Sequence, residues 1–218
     1  MITANAHGRI IADIAKAYLV PLGCRRKGRS RFWFSDECFW LIGIEFQPSS
    51  WSRGAYLNVG ANWLWYPRKS FSFDYGGRIG EFVPYENEAQ FKLALTDLTQ
   101  CAVEEISHLR KRFRSMLEMT DHLTTFAGSR NFWPVYHAAV ASGLVGNAGQ
   151  SDALFQKIEN AHVEYEWQSD LQSISGRLAD CLLDPTSYSQ AVLDLIEQCR
   201  ALRGLPPGCG FDAAQARA

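Results

Sequence analysis

Eight apolar residues between positions 91 and 117 limit the fold more than any other feature of this chain. Phe91, Leu95, Leu98, Ala102, Ile106, Leu109, Phe113 and Leu117 follow one another at steps of 4, 3, 4, 4, 3, 4 and 4. At about 3.6 residues per turn, that spacing holds all of them on one side of a helix. It predicts a helix over about Asn87–Met119, roughly nine turns long, with room for one break. A stripe of that length has to be buried, and a sheet face can cover it.

The strands for such a face precede it. A first helix is expected over about Ala4–Tyr18, with Ile10, Ile11, Ile14 and Tyr18 inward and Pro21 and Gly23 as its stop. Three strand-like runs follow. The first covers about Arg25–Phe34, interrupted at Gly28. The second is Cys38–Gln47, where Cys38, Trp40, Ile42, Ile44 and Phe46 alternate with positions that turn polar at Glu45 and Gln47. The third is Ala55–Trp65, with Leu57, Val59, Ala61, Trp63 and Trp65 on one side and Tyr56, Asn58, Gly60 and Asn62 on the other. Period-two alternation predicts an antiparallel sheet with one buried face. A fourth strand is expected through Phe71–Phe73 or Gly80–Val83, and Gly76-Gly77-Arg78-Ile79-Gly80 reads as a turn.

After Trp133 the pattern changes to shorter helices. Pro134 opens one that ends near Gly146, Ser151-Asp152 starts the next, and Leu171, Ile174, Leu178 and Leu182 mark a third, ended by Asp184-Pro185. The last has Thr186 or Ser187 as its cap, Val192, Leu195, Ile196 and Cys199 inward, and Gly204 at its end. The expected fold is therefore α+β: an antiparallel sheet of three to five strands packed on an N-terminal helix and a long helix, then a C-terminal helical array. The expected divisions are a sheet domain at 1–122, a helical subdomain packed on it at 123–205 and a flexible tail at 206–218. Charge follows the same division. Residues 1–120 carry 16 Lys/Arg against 12 Asp/Glu, a net of +4, and residues 121–218 carry 6 against 11, a net of -5.

Composition excludes some classes. With 47% hydrophobic residues and a formal net charge of -1, the chain is neither disordered nor strongly basic, as an obligate nucleic-acid binder usually is. Ile10–Val20 contains Asp13 and Lys16, so it is no signal-peptide core, and no run approaches a membrane span; a cytoplasmic protein is expected. The six cysteines are widely spaced with no C-x-x-C pair and read as reduced, mostly buried thiols, with a Cys24–Cys38 pairing as the alternative. No phosphate loop, dinucleotide fingerprint, H-E-x-x-H or G-x-S-x-G is present. The five histidines are scattered, and no cofactor or metal is expected.

Three constellations carry candidate chemistry. Arg25-Arg26-Lys27-Gly28-Arg29-Ser30-Arg31 before Phe32-Trp33-Phe34 is either a solvated strand edge or a strand that binds RNA or single-stranded DNA. Arg110-Lys111-Arg112-Phe113-Arg114 reads as a solvated helix face. The polar face of the sheet is the strongest candidate. Glu45, Gln47, Tyr56, Asn58 and Asn62, with Arg78 or an arginine of the basic strand as an ion partner for Glu45, form a recognition surface, a solvent-exposed sheet face or an internal hydrogen-bond network.

Leu19-Val20-Pro21-Leu22-Gly23-Cys24-Arg25-Arg26-Lys27-Gly28, then Arg31-Phe32, Ile44-Glu45-Phe46-Gln47-Pro48-Ser49, Tyr56-Leu57-Asn58-Val59-Gly60 and Arg78-Ile79-Gly80 stand in a telling order. Together they resemble the bacterial family of domains of unknown function numbered 4304. The resemblance covers about residues 8–120 and departs from the family pattern at Cys24, where an aromatic is usual. It implies an α+β domain with an antiparallel sheet and no established activity, cofactor or catalytic residue. It marks Gln47, Asn58 and Arg78 as the shared polar residues.

The expected function is a non-enzymatic protein-interaction module, such as a bacterial immunity or regulatory protein with a protein partner. Nucleic-acid binding through residues 25–34 is the first alternative. An enzyme with a site around Glu45 and Arg78 is the second.

Overall fold

A computed structural model describes residues 6–208. In chain order its elements are α1 (Ala6–Leu19), a 3-10 turn (Val20–Leu22), β1 (Arg25–Arg26), β2 (Phe32–Asp36), β3 (Trp40–Gln47), β4 (Gly54–Trp63) and β5 (Tyr75–Pro84). Then come α2 (Glu88–Arg112), α3 (Met116–Thr124), α4 (Phe132–Leu144), α5 (Ala148–Glu159), α6 (Glu166–Asp180) and α7 (Pro185–Arg203). The fold is α+β, with one sheet of order β1-β2-β3-β4-β5. No helix of the described residues is long and apolar enough to cross a membrane.

The chain forms two compact units. The first takes residues up to Asn62 together with Phe71–Lys111, and the second takes Trp63–Ser70 and the residues from Arg112 onward.

In the first unit, Ile10, Ile11, Ala15 and Leu19 of α1 and the stripe from Phe91 to Leu109 of α2 are buried with Ile42, Ile44 and Phe46 of β3 and Leu57, Val59 and Ala61 of β4. This is the core that the two sequence periodicities require. Two expectations need correction, and the choice of fourth strand falls on Gly80–Val83, which lies in β5. The run at 25–34 is a hairpin and not one strand: β1 folds back on β2 antiparallel, with Arg25 opposite Phe34. Gly28 supplies the positive φ of 56° that the tip needs. The glycine-rich segment at 76–80 is part of β5, because Gly76 and Gly77 pair with Gly60 and Val59. Bare backbone is needed there, since a side chain on Gly76 would overlap the β4 main chain. The Phe71–Phe73 alternative for the fourth strand forms none.

The long helix breaks once. α2 ends at Arg112, and α3 restarts with Ser115 as its cap, its hydroxyl accepting from the Glu118 amide at 3.2 Å. The new phase buries Met116 and Met119 and leaves Leu117 half-exposed.

The second unit is built around α4, in which Val135 to Ala141 are all buried. Asn131 caps α4 and Asp184 caps α7, in place of the expected Thr186 or Ser187. Gly143 leaves room for the Tyr188 ring, whose hydroxyl donates to the Val140 carbonyl at 3.1 Å. The Tyr136 hydroxyl donates to the Trp65 carbonyl at 2.8 Å, and the Trp65 indole donates to His137 Nδ1 at 2.9 Å. Arg203 donates to the carbonyls of Arg68 and Ser70, both at 2.9 Å, and so holds the segment 63–70 to α7. The tail beyond Gly208 lies outside the described residues.

Candidate functional site

The face of the sheet opposite the buried aliphatic residues carries the candidate site. Register decides its membership, because directly paired residues share a face. Phe32 stands opposite Glu45, Phe34 opposite Gly43, Asn58 opposite Arg78 and Gly60 opposite Gly76.

Asn58 is at the centre, 8% exposed. Its amide donates to Glu45 Oε2 at 3.1 Å and to Gln47 Oε1 at 3.0 Å. Arg78 Nη2 donates to the same Gln47 oxygen at 2.7 Å. The Arg78 guanidinium lies 3.9 Å from the centroid of the Tyr56 ring, and that ring packs on Phe82 at 4.8 Å. A cation over an aromatic face is held by the ring quadrupole. Five of the six expected residues (Glu45, Gln47, Tyr56, Asn58 and Arg78) thus form one connected cluster. Arg78 reaches Gln47 and not Glu45, so the Arg78 alternative for the Glu45 ion pair does not form.

Asn62 belongs elsewhere. It sits four residues along β4, on the same face but roughly 13 Å away. Its amide donates to Ser72 Oγ at 3.2 Å and to the Asp74 carboxylate, and Ser72 Oγ donates to Asp74 Oδ1 at 2.8 Å. This second cluster ties down the segment that follows Phe71.

Two glycines explain what fills the space between the clusters. A side chain at Gly43 would overlap the rings of Phe71 and Phe32, and one at Gly60 would overlap Phe73. Bare backbone on the polar face therefore receives aromatic rings. Phe32 and Phe71 lie 4.7 Å apart and tilted by 58°, and Phe71 meets Phe73 edge-on at 5.1 Å. All three are half-buried. They floor an open groove of about 510 Å³, with Lys27, Arg29 and Ser30 of the β1–β2 hairpin and Glu45 as its polar lining.

The hairpin sorts the basic run. Arg25 lies over Phe34, 5.3 Å from the ring centroid, and 3.7 Å from Asp36. Arg26 donates to the Ser30 and Arg29 carbonyls at 2.6 and 3.0 Å and closes the tip. Arg31 Nη2 is 2.8 Å from His7 Nε2. Arg has no acceptor, so that imidazole nitrogen accepts. Burial, then the charges of Arg31 and Arg53, hold the His7 pKa below the ordinary histidine value. Lys27 and Arg29 are exposed and line the groove.

Arg110 is not one of the solvated cations that the helix-face reading expects. It donates to Glu37 Oε1 through Nε at 3.0 Å and Nη2 at 2.9 Å, and to Ser35 Oγ and the Leu22 carbonyl, both at 2.9 Å. Its place directly after Leu109 of the apolar stripe was the only hint. Phe71 and Phe73 are one of the two places offered for a fourth strand; the signal for their actual role is the pair of glycines on the polar face of β3 and β4.

Cys24, Cys101, Cys181 and Cys199 are free thiols, which removes the Cys24–Cys38 alternative. Cys209 lies outside the described residues. Burial pushes the Cys24 thiol up to about 11. No group of three or more His, Cys, Asp or Glu among the described residues is placed to hold a metal ion. Comparison of the chain with protein-family models, with curated proteins and with solved structures finds no match.

Proposed function

We propose that this chain is a protein-binding module of the immunity or regulatory kind, and that the polar face of its sheet is the recognition surface. One observation carries the reading. The polar side chains of that face hold one another, while half-buried aromatic rings and two cations beside them are left facing an open groove. A rigid, internally bonded support with aromatic anchors at its border is how recognition surfaces are built. Trp51, 96% exposed at the β3–β4 connection, adds a further large anchor to the same unit.

The resemblance to the 4304 family fits this reading. Gln47, Asn58 and Arg78, the polar residues it marks, are the three that close the network around Gln47 Oε1. We propose that membership on that basis.

The test is affinity capture with the full chain from an extract of its native host. One protein recovered in constant ratio to the bait is the expected result. Recovery of nothing specific, or of nucleic acid released by moderate salt, would end the reading.

A further inference from the structure

We infer that the groove beside the β1–β2 hairpin takes a short acidic peptide segment of a partner protein. One apolar anchor side chain sits on Phe32, Phe71 and Phe73, and the flanking carboxylates meet Lys27 and Arg29. This rests on the protein-binding reading above and adds the chemistry of the partner.

The charge argument comes from how the basic run is used. Five cations stand between positions 25 and 31. Arg25 is engaged with Asp36 and Phe34, Arg26 with the carbonyls of its own turn, and Arg31 with His7. Among the described residues the Lys27 and Arg29 side chains have no such bond, and both line the groove. The hairpin tip therefore presents two uncommitted positive charges at the edge of an apolar floor. Glu45 is the counterweight. Its Oε2 is occupied by Asn58, and its negative charge lies directly beside Phe32 across the β2–β3 pair. It disfavours a second carboxylate at that end and offers an acceptor to a peptide N–H. The acidic groups of the occupant are thereby confined to the hairpin side.

Ring geometry distinguishes a peptide from a nucleic-acid strand. Stacking successive bases needs flat ring faces presented side by side. Here Phe32 and Phe71 are tilted by 58° and Phe71 and Phe73 by 74°, which makes a concave seat for one side chain. The unit as a whole also carries a net charge of only +1, with 12 Lys/Arg against 11 Asp/Glu. A volume of about 510 Å³ accommodates one large side chain with its adjoining backbone.

The probe is a phage-displayed library of random dodecapeptides selected on the full chain. Enriched peptides are expected to carry one Phe, Tyr, Trp or Leu flanked by Asp or Glu. A synthetic peptide of that kind should bind at least about tenfold more weakly to Lys27→Glu/Arg29→Glu, whose exposed positions leave the fold intact by circular dichroism. Phe32→Ala should weaken it as well. No enrichment, enrichment without acidic residues, or affinity unchanged by the charge reversal overturns the inference, and so does displacement of the peptide by oligouridylate at lower concentration. Host capture separates the two levels. A partner retained by Lys27→Glu/Arg29→Glu removes the groove assignment and leaves the module, whereas no partner at all removes the module itself.

Discussion

The two faces of β3 and β4 are made from alternate residues of the same strands, yet they are held in different ways. On one face Ile42, Ile44, Phe46, Leu57, Val59 and Ala61 are fully buried. Dispersion and the hydrophobic effect hold them, and both are tolerant of direction. On the other face Glu45, Gln47 and Asn58 are joined with Arg78 of β5 by directional hydrogen bonds, and the neighbouring glycines 43 and 60 admit rings from a distant segment. The first face stabilises the unit. The second spends part of that stability to hold polar groups and aromatic edges at fixed positions near water.

Truncating the packed face should have the largest effect. Phe46→Ala removes a fully buried ring and should cost about 3–5 kcal/mol in urea denaturation. A loss under about 1 kcal/mol would mean that the two faces do not differ as described. Gly43→Ala should come next. Its methyl group would displace Phe71, and overpacking of this kind costs about 1–3 kcal/mol. It should also abolish binding of groove-selected peptides, and unchanged affinity would show that Phe71 does not form the floor.

Asn58→Ala leaves Gln47 and Glu45 without their shared donor and should cost about 1–2 kcal/mol. A double-mutant cycle with Arg78→Ala should show coupling, because both donors meet at one oxygen. Strict additivity would break the network into unrelated pairs.

Smaller effects report on the helix-covered side. His7 is held below its ordinary value of 6.5, so the unfolded chain binds this proton more readily than the folded one. Its contribution is complete above about pH 6.5 and is lost as the pH falls. Denaturation midpoints should therefore drop less between pH 7 and pH 5 in His7→Gln than in the wild type, and parallel curves would remove His7 as a cause. Thiol labelling should leave stability untouched. Exposed Cys101 should react with iodoacetamide long before buried Cys24, whose raised pKa starves it of thiolate. Equal rates by peptide mapping would show that the core near Cys24 opens readily.

Legibility in the sequence followed the same line. Wherever burial sets the pattern, periodicity located the element, as in β3, β4, α1 and most of α2. Five of the six residues expected on the polar face lie in one bonded cluster, because period-two alternation and register put them on one face. Asn62 was misplaced because sharing a face does not mean sharing a neighbourhood: Gly60 and the ring of Phe73 lie between it and Asn58. The hairpin at Gly28 was missed because a run of arginines shows no alternation to break. Arg110 was missed because its partners, Glu37, Ser35 and Leu22, are more than seventy residues away.

Local spacing of apolar residues by itself determined the class of fold, the buried face of the sheet and the residues available on the other face. These follow from backbone geometry, which is the same in every chain. Only the tertiary structure decided which of five neighbouring cations stay uncommitted, and that Phe71 and Phe73 fold onto Gly43 and Gly60. Those outcomes depend on which side chains meet across long loops, and the energy of such contacts is written in pairs of residues that no local pattern connects.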